Sequence, residues 1–372
     1  MKNNIKNTSA NSTAVKGEAL KTVTFTLLAD FHYKENMYMS SIADLKSILK
    51  RAEDSSSAFV LSAGDLCNDF AGSPELTNTY LNYHFSDGSL LPAYNVYGNH
   101  ELEASGNSME KVTPLLTNDK NVVWGTPDGS FDANIGYYYF ESNGFRVVCT
   151  DTNYSYNNIK AVWEHNETNS YGPPKDNVEY NSLGPEQLLW LENVLTDAAN
   201  NSIPCIVIGH DSFSGVFAVN SSPDAEAVRK IYSKVNSIRQ GTVVMSINGH
   251  YHTNHRGYLD GVFYLDMNSV RNCYWCPSDT FHYSSDTTFR YEKYDDDGNL
   301  IEVTDKSIND LSQSRHTWFS TEPLSAVVTV NELGEVSIDG IESSWLCGLA
   351  PDTTLSGCEP IVTSGTFSKT DI

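Results

Sequence analysis

Residues 23–32 read V-T-F-T-L-L-A-D-F-H. Val23, Phe25 and Leu27 alternate with threonines, the period of a strand with one apolar face. The spacing predicts a strand over 23–29 that ends on Asp30 and His32. In extended backbone, residues i and i+2 point the same way. Asp30 and His32 are therefore expected to grip one cation together, with Phe31 turned away. One strand with such an end is ordinary, but this chain has five.

The second strand is A-F-V-L-S-A at 58–63, followed by Asp65. The third is A-Y-N-V-Y at 93–97, followed by Asn99 and His100. The fourth is C-I-V-I at 205–208, followed by His210. The fifth is V-V-M-S-I at 243–247, followed by H-Y-H, in which His250 and His252 are expected on one side and Tyr251 on the other. Helical patterns lie between them. S-I-A-D from Ser41 reads as a capping box, with Ile42, Leu45, Leu49 and Ala52 as the apolar stripe behind it. Further helices are predicted from Pro74, over 184–199 and from Pro223 to Arg239. A hairpin over 135–150 turns at Asn143-Gly144, and two short strands fall near 256–259 and 262–266. The fold class is α/β, and in layered α/β folds sites collect at the carboxyl ends of strands.

The rest of the composition narrows the function. The chain has 372 residues, 40% of them hydrophobic, enough for a large core. Lys and Arg number 24 against 47 Asp and Glu, a net charge of −23 that repels polyanions. No local basic patch offsets it, so a nucleic-acid partner is not expected. No run of 18 apolar residues predicts a membrane span. Residues 1–20 are polar and rich in Asn, Ser and Thr, and read as a disordered arm without the apolar core of a signal peptide. The chain is expected to be cytoplasmic, or exported with its signal removed. Cys67, Cys149 and Cys205 read as buried thiols. Cys273/Cys276 and Cys347/Cys358 are candidate disulfides, and one C-x-x-C is too few ligands for a structural zinc.

From 271 onward the chain is expected to form an aromatic-rich insertion and a C-terminal hairpin packed on the same domain as residues 21–270. The hairpin is placed at 325–341 with its turn near Gly334, D-D-D-G-N at 295–299 is a second turn, and the tail after 345 reads as loop.

Leaving His100 aside, the five strand ends together hold two carboxylates, one amide and four imidazoles. That is too many ligands for one tetrahedral zinc, and it suits two cations such as Mn, Fe or Zn. Two divalent ions against two carboxylates leave +4 − 2 = +2, or +1 with a bridging hydroxide. Such a centre attracts an anionic ester even within an acidic protein.

In this order the blocks D-F-H (30–32), G-D-L-C-N (64–68), G-N-H-E (98–101), G-H (209–210) and G-H-Y-H (249–252) resemble the signature of the calcineurin-like metallophosphoesterases. Each block alone is weak; five in order are specific. The resemblance implies a four-layer α/β/β/α sandwich, two mixed sheets flanked by helices. It implies that Asp30, His32, Asp65 and His252 hold one metal, and Asp65, Asn99, His210 and His250 the other. It implies attack on phosphorus by a metal-bridging hydroxide, with His100 assisting departure of the leaving group. Glu101 is expected to orient neighbouring ligands or His100. Asn68 fills a position that is acidic or Asn in the family. The purple acid phosphatases place a metal-binding tyrosine there, so the chain reads as outside that branch.

The expected substrate is a small phosphomonoester or phosphodiester, and no protein partner is predicted. The alternative is a module that kept the fold and binds metal or a phosphate ligand without turnover. His255, Tyr274 and Trp275 are candidates for a substrate cleft, as are Asn153 and Tyr154. His84, His165, His282 and His316 carry no expected role.

Overall fold

Strand β1, Thr22–Leu28, buries Val23, Phe25 and Leu27 completely, as its alternation requires. It belongs to a computed structural model that describes residues 20–33, 40–104, 106–166, 177–217, 221–275, 288–294, 300–307, 317–345, 357 and 359–370. The candidate pairs Cys273/Cys276 and Cys347/Cys358, the 295–299 turn, residues 1–19, His282 and His316 fall wholly or partly outside them.

Helix α1 is Ile42–Asp54, and the capping box forms: Asp44 N donates to Ser41 Oγ and Ser41 N to the Asp44 carboxylate. Its stripe of Ile42, Leu45, Ile48, Leu49 and Ala52 is buried. Then come β2 (Val60–Ser62), α2 (Pro74–Leu81), β3 (Ala93–Asn95), the short α3 (Met109–Val112) and β4 (Val123–Trp124). Strands β5 (Tyr138–Ser142) and β6 (Phe145–Cys149) form the hairpin over Asn143 and Gly144. Both turn residues have positive φ, 50° and 77°, the conformation a two-residue turn needs to follow the strand twist.

Three strands follow that sequence periodicity did not predict: β7 (Tyr154–Asn157), β8 (Val162–His165) and β9 (Asn177–Ser182), a separate three-stranded sheet. The inward side chains of β7 are Ser155 and Asn157, so no apolar alternation marks it. Helix α4 (Gly184–Asn200), β10 (Cys205–Ile208), α5 (Ala225–Ile238), β11 (Val243–Asn248), β12 (His255–Leu259) and β13 (Val262–Asp266) lie within a few residues of their predicted places. Beyond them, β14 (Asn272–Trp275) pairs with β17 (Thr317–Phe319), and β15 (Thr288–Tyr294) with β16 (Leu300–Ser307).

The chain ends with β18 (Ala326–Asn331), β19 (Val336–Gly340) and β20 (Gly365–Phe367). The tail is thus not all loop. β18 pairs antiparallel with β1, placing the C-terminal hairpin inside the first sheet, whose order is β20-β19-β18-β1-β2-β3. The second sheet has the order β12-β13-β11-β10-β6-β5-β4. Both are mixed. β1, β2 and β3 run parallel in the first, and β6, β10, β11 and β13 in the second.

Alternation along the second sheet separates its faces. Ile206, Ile208, Met245 and Ile247 join the cluster shared with the first sheet, while Cys205, Val207 and Val243 join a cluster with α4 and α5. Four layers result, with α1 and α2 over the first sheet and α4 and α5 over the second. Within this sandwich the loops after the parallel strands of both sheets meet at one edge. Among the described residues no helix is long and apolar enough to cross a membrane.

Candidate metal centre

The loops that leave β1 and β2 stay paired beyond their strands. Asp30 N donates to Gly64 O and His32 N to Asp65 O, at 3.0 and 2.9 Å. The loop after β11 then closes onto the first sheet, where His250 N donates to both oxygens of Asp30 at 3.1 and 3.0 Å. His100 N donates to Asp65 Oδ1 at 2.9 Å. Gly249 N donates to His210 O at 3.0 Å, so five segments far apart in sequence are locked around one point by main-chain donors, before any side chain binds a ligand.

Seven side-chain donors converge there. His32 Nε2 is 3.3 Å from His252 Nε2, which is 3.3 Å from Asp30 Oδ1. His210 Nε2 is 3.0 Å from Asn99 Oδ1, 3.1 Å from His250 Nδ1 and 3.1 Å from Asp65 Oδ2. Asp65 Oδ2 also lies 3.9 Å from His32 Nε2, so this carboxylate touches both groups. The grouping Asp30, His32 and His252 brings ligand atoms within 4.8 Å of one another, as does Asp65, His210 and His250.

The chemistry of this donor set fits metal ions. His210 Nδ1 donates to Ala63 O at 2.7 Å, so its Nε2 is the atom turned toward Asn99, His250 and Asp65. Carboxylate and amide oxygens bring no proton to such contacts, and one shared proton satisfies one contact, not all of them. Cations at the meeting points satisfy every one.

Backbone conformation, not alternation, aims these side chains. Asp30, His32, Asp65, His250 and His252 have φ of 52°, 50°, 55°, 70° and 52°. The expectation of extended D-F-H and H-Y-H segments is therefore corrected: both are left-handed at their ligand positions. Each such residue costs about 1–2 kcal/mol of backbone strain. Nor does Tyr251 leave the site, since its ring stands edge-on to His250 and its hydroxyl reaches Asp211 Oδ1 at 3.4 Å. Two motif glycines are needed because carboxylates press on them. A Cβ on Gly98 would lie 2.1 Å from Asp65 Oδ1, and one on Gly249 would lie 2.5 Å from Asp30 Oδ2.

Charge at the centre is strongly coupled. Burial opposes ionisation of Asp65, but His210, His100 and His32 outweigh it and hold its pKa well below the usual carboxylate range. Burial likewise opposes, and His252 restores, the ionisation of Asp30, whose pKa is lowered. Burial alone would depress His210, yet Asp65 and Asp30 hold it well above the usual imidazole range. His250 goes the other way, lowered first by its burial. The carboxylates thus demand positive charge beside them.

The remaining residues sort by contact. His100 turns Nε2 toward Asp65 Oδ2, 4.0 Å away, and Nδ1 toward Glu103 Oε2 at 2.7 Å. Glu101 is fully buried and accepts from Leu66 N and Gly98 N, both at 2.8 Å, so it ties together the loops that carry Asp65 and Asn99. Burial, then repulsion by Asp65, pushes its pKa up to about 7. Asn68 enters through its carbonyl, which accepts from Ala104 N at 3.0 Å. Asn153 braces the same loop from beneath, donating to Gly98 O at 3.1 Å. His255 lies at the start of β12 with Nδ1 3.9 Å from Asp266 Oδ2. Tyr274 and Trp275 belong to β14, whose side chains fall outside the described structure.

Sequence reasoning passed over Asp211 and Glu103. Asp211 is buried beside His250, with Oδ1 3.7 Å from its Nε2, and accepts from Thr152 Oγ1 at 2.8 Å and Asn181 Nδ2 at 3.2 Å. Its only signal was a carboxylate directly after a strand-end histidine. His165, expected to have no role, stands 2.9 Å from the buried Asp151 carboxylate.

The family model described as calcineurin-like phosphoesterase matches residues 23–254. A protein of Arabidopsis thaliana named manganese-dependent ADP-ribose/CDP-alcohol diphosphatase is 26% identical over 249 residues, 60% of this chain and 74% of that one. Among solved structures, a dimetal phosphatase from Danio rerio is similar over 88% of this chain and 99% of its own, at 15% identity and a TM-score of 0.49. The NAD nucleotidase of Haemophilus influenzae is similar over 87% of this chain and 50% of its own, at 16% identity and a TM-score of 0.39.

Proposed function

This chain belongs to the calcineurin-like phosphoesterases, and from that premise we propose that it hydrolyses small phosphate esters at a centre of two metal ions. Asp30, His32, Asp65 and His252 would hold one ion, and Asp65, Asn99, His210 and His250 the other. Bound there, such ions supply positive charge to the phosphoryl oxygens and an activated water at neutral pH.

The observation that carries the reading is the convergence on His210 Nε2 of Asn99 Oδ1, His250 Nδ1 and Asp65 Oδ2, all within 3.1 Å. The chain's own residues do the rest of the work. Asp65 joins the two groups. Glu101 and Asn153 hold the Gly98–Asn99–His100 turn in place. His100, with Nε2 facing the centre, gives a proton to the departing oxygen. The Arabidopsis relative, named as a diphosphatase, adds diphosphate-bridged nucleotides to the substrate classes to be compared, and favours manganese.

The test is a turnover screen with Mn, Fe or Zn over phosphomonoesters, phosphodiesters and diphosphate-bridged nucleotides. Activity should require added metal, vanish with chelator and fall by at least about 100-fold in Asp65→Ala and His100→Ala. If no metal restores turnover of any class, the hydrolase reading fails and a binding module takes its place.

A further inference from the structure

We infer that Glu103 is the positioning residue that sets the proton-donating edge of His100; the inference rests on the hydrolase reading above. The two side chains are joined locally. Glu103 N donates to His100 O at 3.0 Å, closing a turn, and this turn folds the carboxylate back so that Oε2 lies 2.7 Å from Nδ1 of His100. A carboxylate only accepts, so Nδ1 carries the hydrogen. That leaves Nε2, on the opposite edge of the ring and 4.0 Å from Asp65 Oδ2, as the atom presented to the reacting groups.

The surroundings hold this arrangement. The His32 ring stands edge-on to His100, with centroids 5.0 Å apart and planes at 85°. Asn107 Nδ2 donates to Glu101 O at 3.0 Å, and Ala104 N to Asn68 O, so the segment on either side of Glu103 is pinned. The other acid in the loop is committed elsewhere: Glu101 spends its oxygens on Leu66 N and Gly98 N. Asn68, an amide, cannot supply the negative charge. Glu103 is the carboxylate in contact with His100 on its Nδ1 edge.

In the step this serves, a water oxygen bonds to phosphorus and gives up a proton to solvent, the bond between phosphorus and the leaving oxygen breaks, and that oxygen takes the Nε2 proton of His100, which enters the step protonated on both nitrogens. Neutral His100 keeps its Nδ1–H, Glu103 stays ionised, and solvent returns the proton. Ester and water become phosphate and alcohol, with no other reactant.

The role predicts leaving-group dependence. A nitrophenolate departs without a proton, whereas an alkoxide needs one. Glu103→Ala should lower kcat for an alkyl phosphate ester about 10- to 100-fold, lower it less than about 3-fold for the 4-nitrophenyl ester, and leave KM and bound metal unchanged. Glu103→Asp, with the charge kept but the reach shortened, should fall in the same direction by less. Nitrogen-15 NMR of the His100 imidazole in the metal-free protein is a readout apart from turnover. The protonated Nδ1 seen in the wild type should be lost, or exchange with the other tautomer, in Glu103→Ala. Equal losses for both esters in both variants, or an unchanged His100 tautomer, would overturn the inference. If the wild type hydrolyses neither ester, the hydrolase reading fails, and the NMR comparison still decides whether Glu103 sets the tautomer.

Discussion

Nε2 of His210 lies 3.1 Å from Oδ2 of Asp65, although the two residues follow strands of different sheets. The contact places one carboxylate at the seam of the sandwich, within reach of both donor groups. Asp65→Asn should therefore weaken both metal sites, while Asp30→Asn should weaken one. Metal content after dialysis at limiting free metal checks this. Retention of one fully occupied site in Asp65→Asn, with the other lost, would show that the carboxylate serves a single ion.

Gly98→Ala tests how tightly the motif backbone presses on that carboxylate. The added methyl would lie 2.1 Å from Asp65 Oδ1 and 2.4 Å from Asp65 N. Relief requires moving the loop that carries Asn99 and His100. Stability should drop by about 1–3 kcal/mol, the usual cost of overpacking, and metal affinity should drop with it. Thermal unfolding with and without metal measures both. A variant with wild-type affinity would mean that the loop yields easily.

Asp211→Asn probes the support behind His250. Asp211 Oδ1 stands 3.7 Å from His250 Nε2 and is itself held by Thr152, Asn181 and Tyr251. Removing the charge should reduce metal affinity about 10- to 100-fold, the range found for residues that orient metal-bound histidines. Tyr251→Phe should cost less. Calorimetric titration with manganese would settle the order, and equal effects of the two variants would contradict it.

Asp266 predicts a pH dependence of stability. Burial pushes its pKa from 3.8 up to about 7, against hydrogen bonds from Asn248 and Ser212 that favour ionisation. The folded value exceeds the unfolded one, so its contribution is fully present below the unfolded pKa. It is lost as pH rises from about 4 through about 7. Asp266→Asn removes this ionisation and keeps an acceptor for Ser212 Oγ. In chelator, the melting temperature of the wild type should fall relative to that of the variant across this window. Parallel curves would show that Asp266 ionises freely in the folded chain.

Much of this was legible because the information is local. Val23, Phe25 and Leu27 announce β1 by their period, Ser41 and Asp44 announce the start of α1, and Asn143-Gly144 announces its hairpin. A polar residue directly after an apolar strand must sit at the strand's end, so the seven candidate ligands could be named before their neighbours were known. The sandwich is also legible in outline, since strands that alternate with helices require layers.

What the sequence left undetermined depends on contacts between distant segments. Nothing in Ala326–Asn331 announces that it pairs with Thr22–Leu28, because register between strands some 300 residues apart is set by which edges remain open once the chain collapses. The left-handed conformation of Asp30, His32, Asp65, His250 and His252 is likewise a tertiary result. Local energetics oppose it by about 1–2 kcal/mol a residue, and the bonds between neighbouring loops impose it. Glu101 and Glu103 are two residues apart and alike in chemistry. Only the closing of the turn from His100 to Glu103 decided which acid would hold the imidazole and which would be buried beneath the loops.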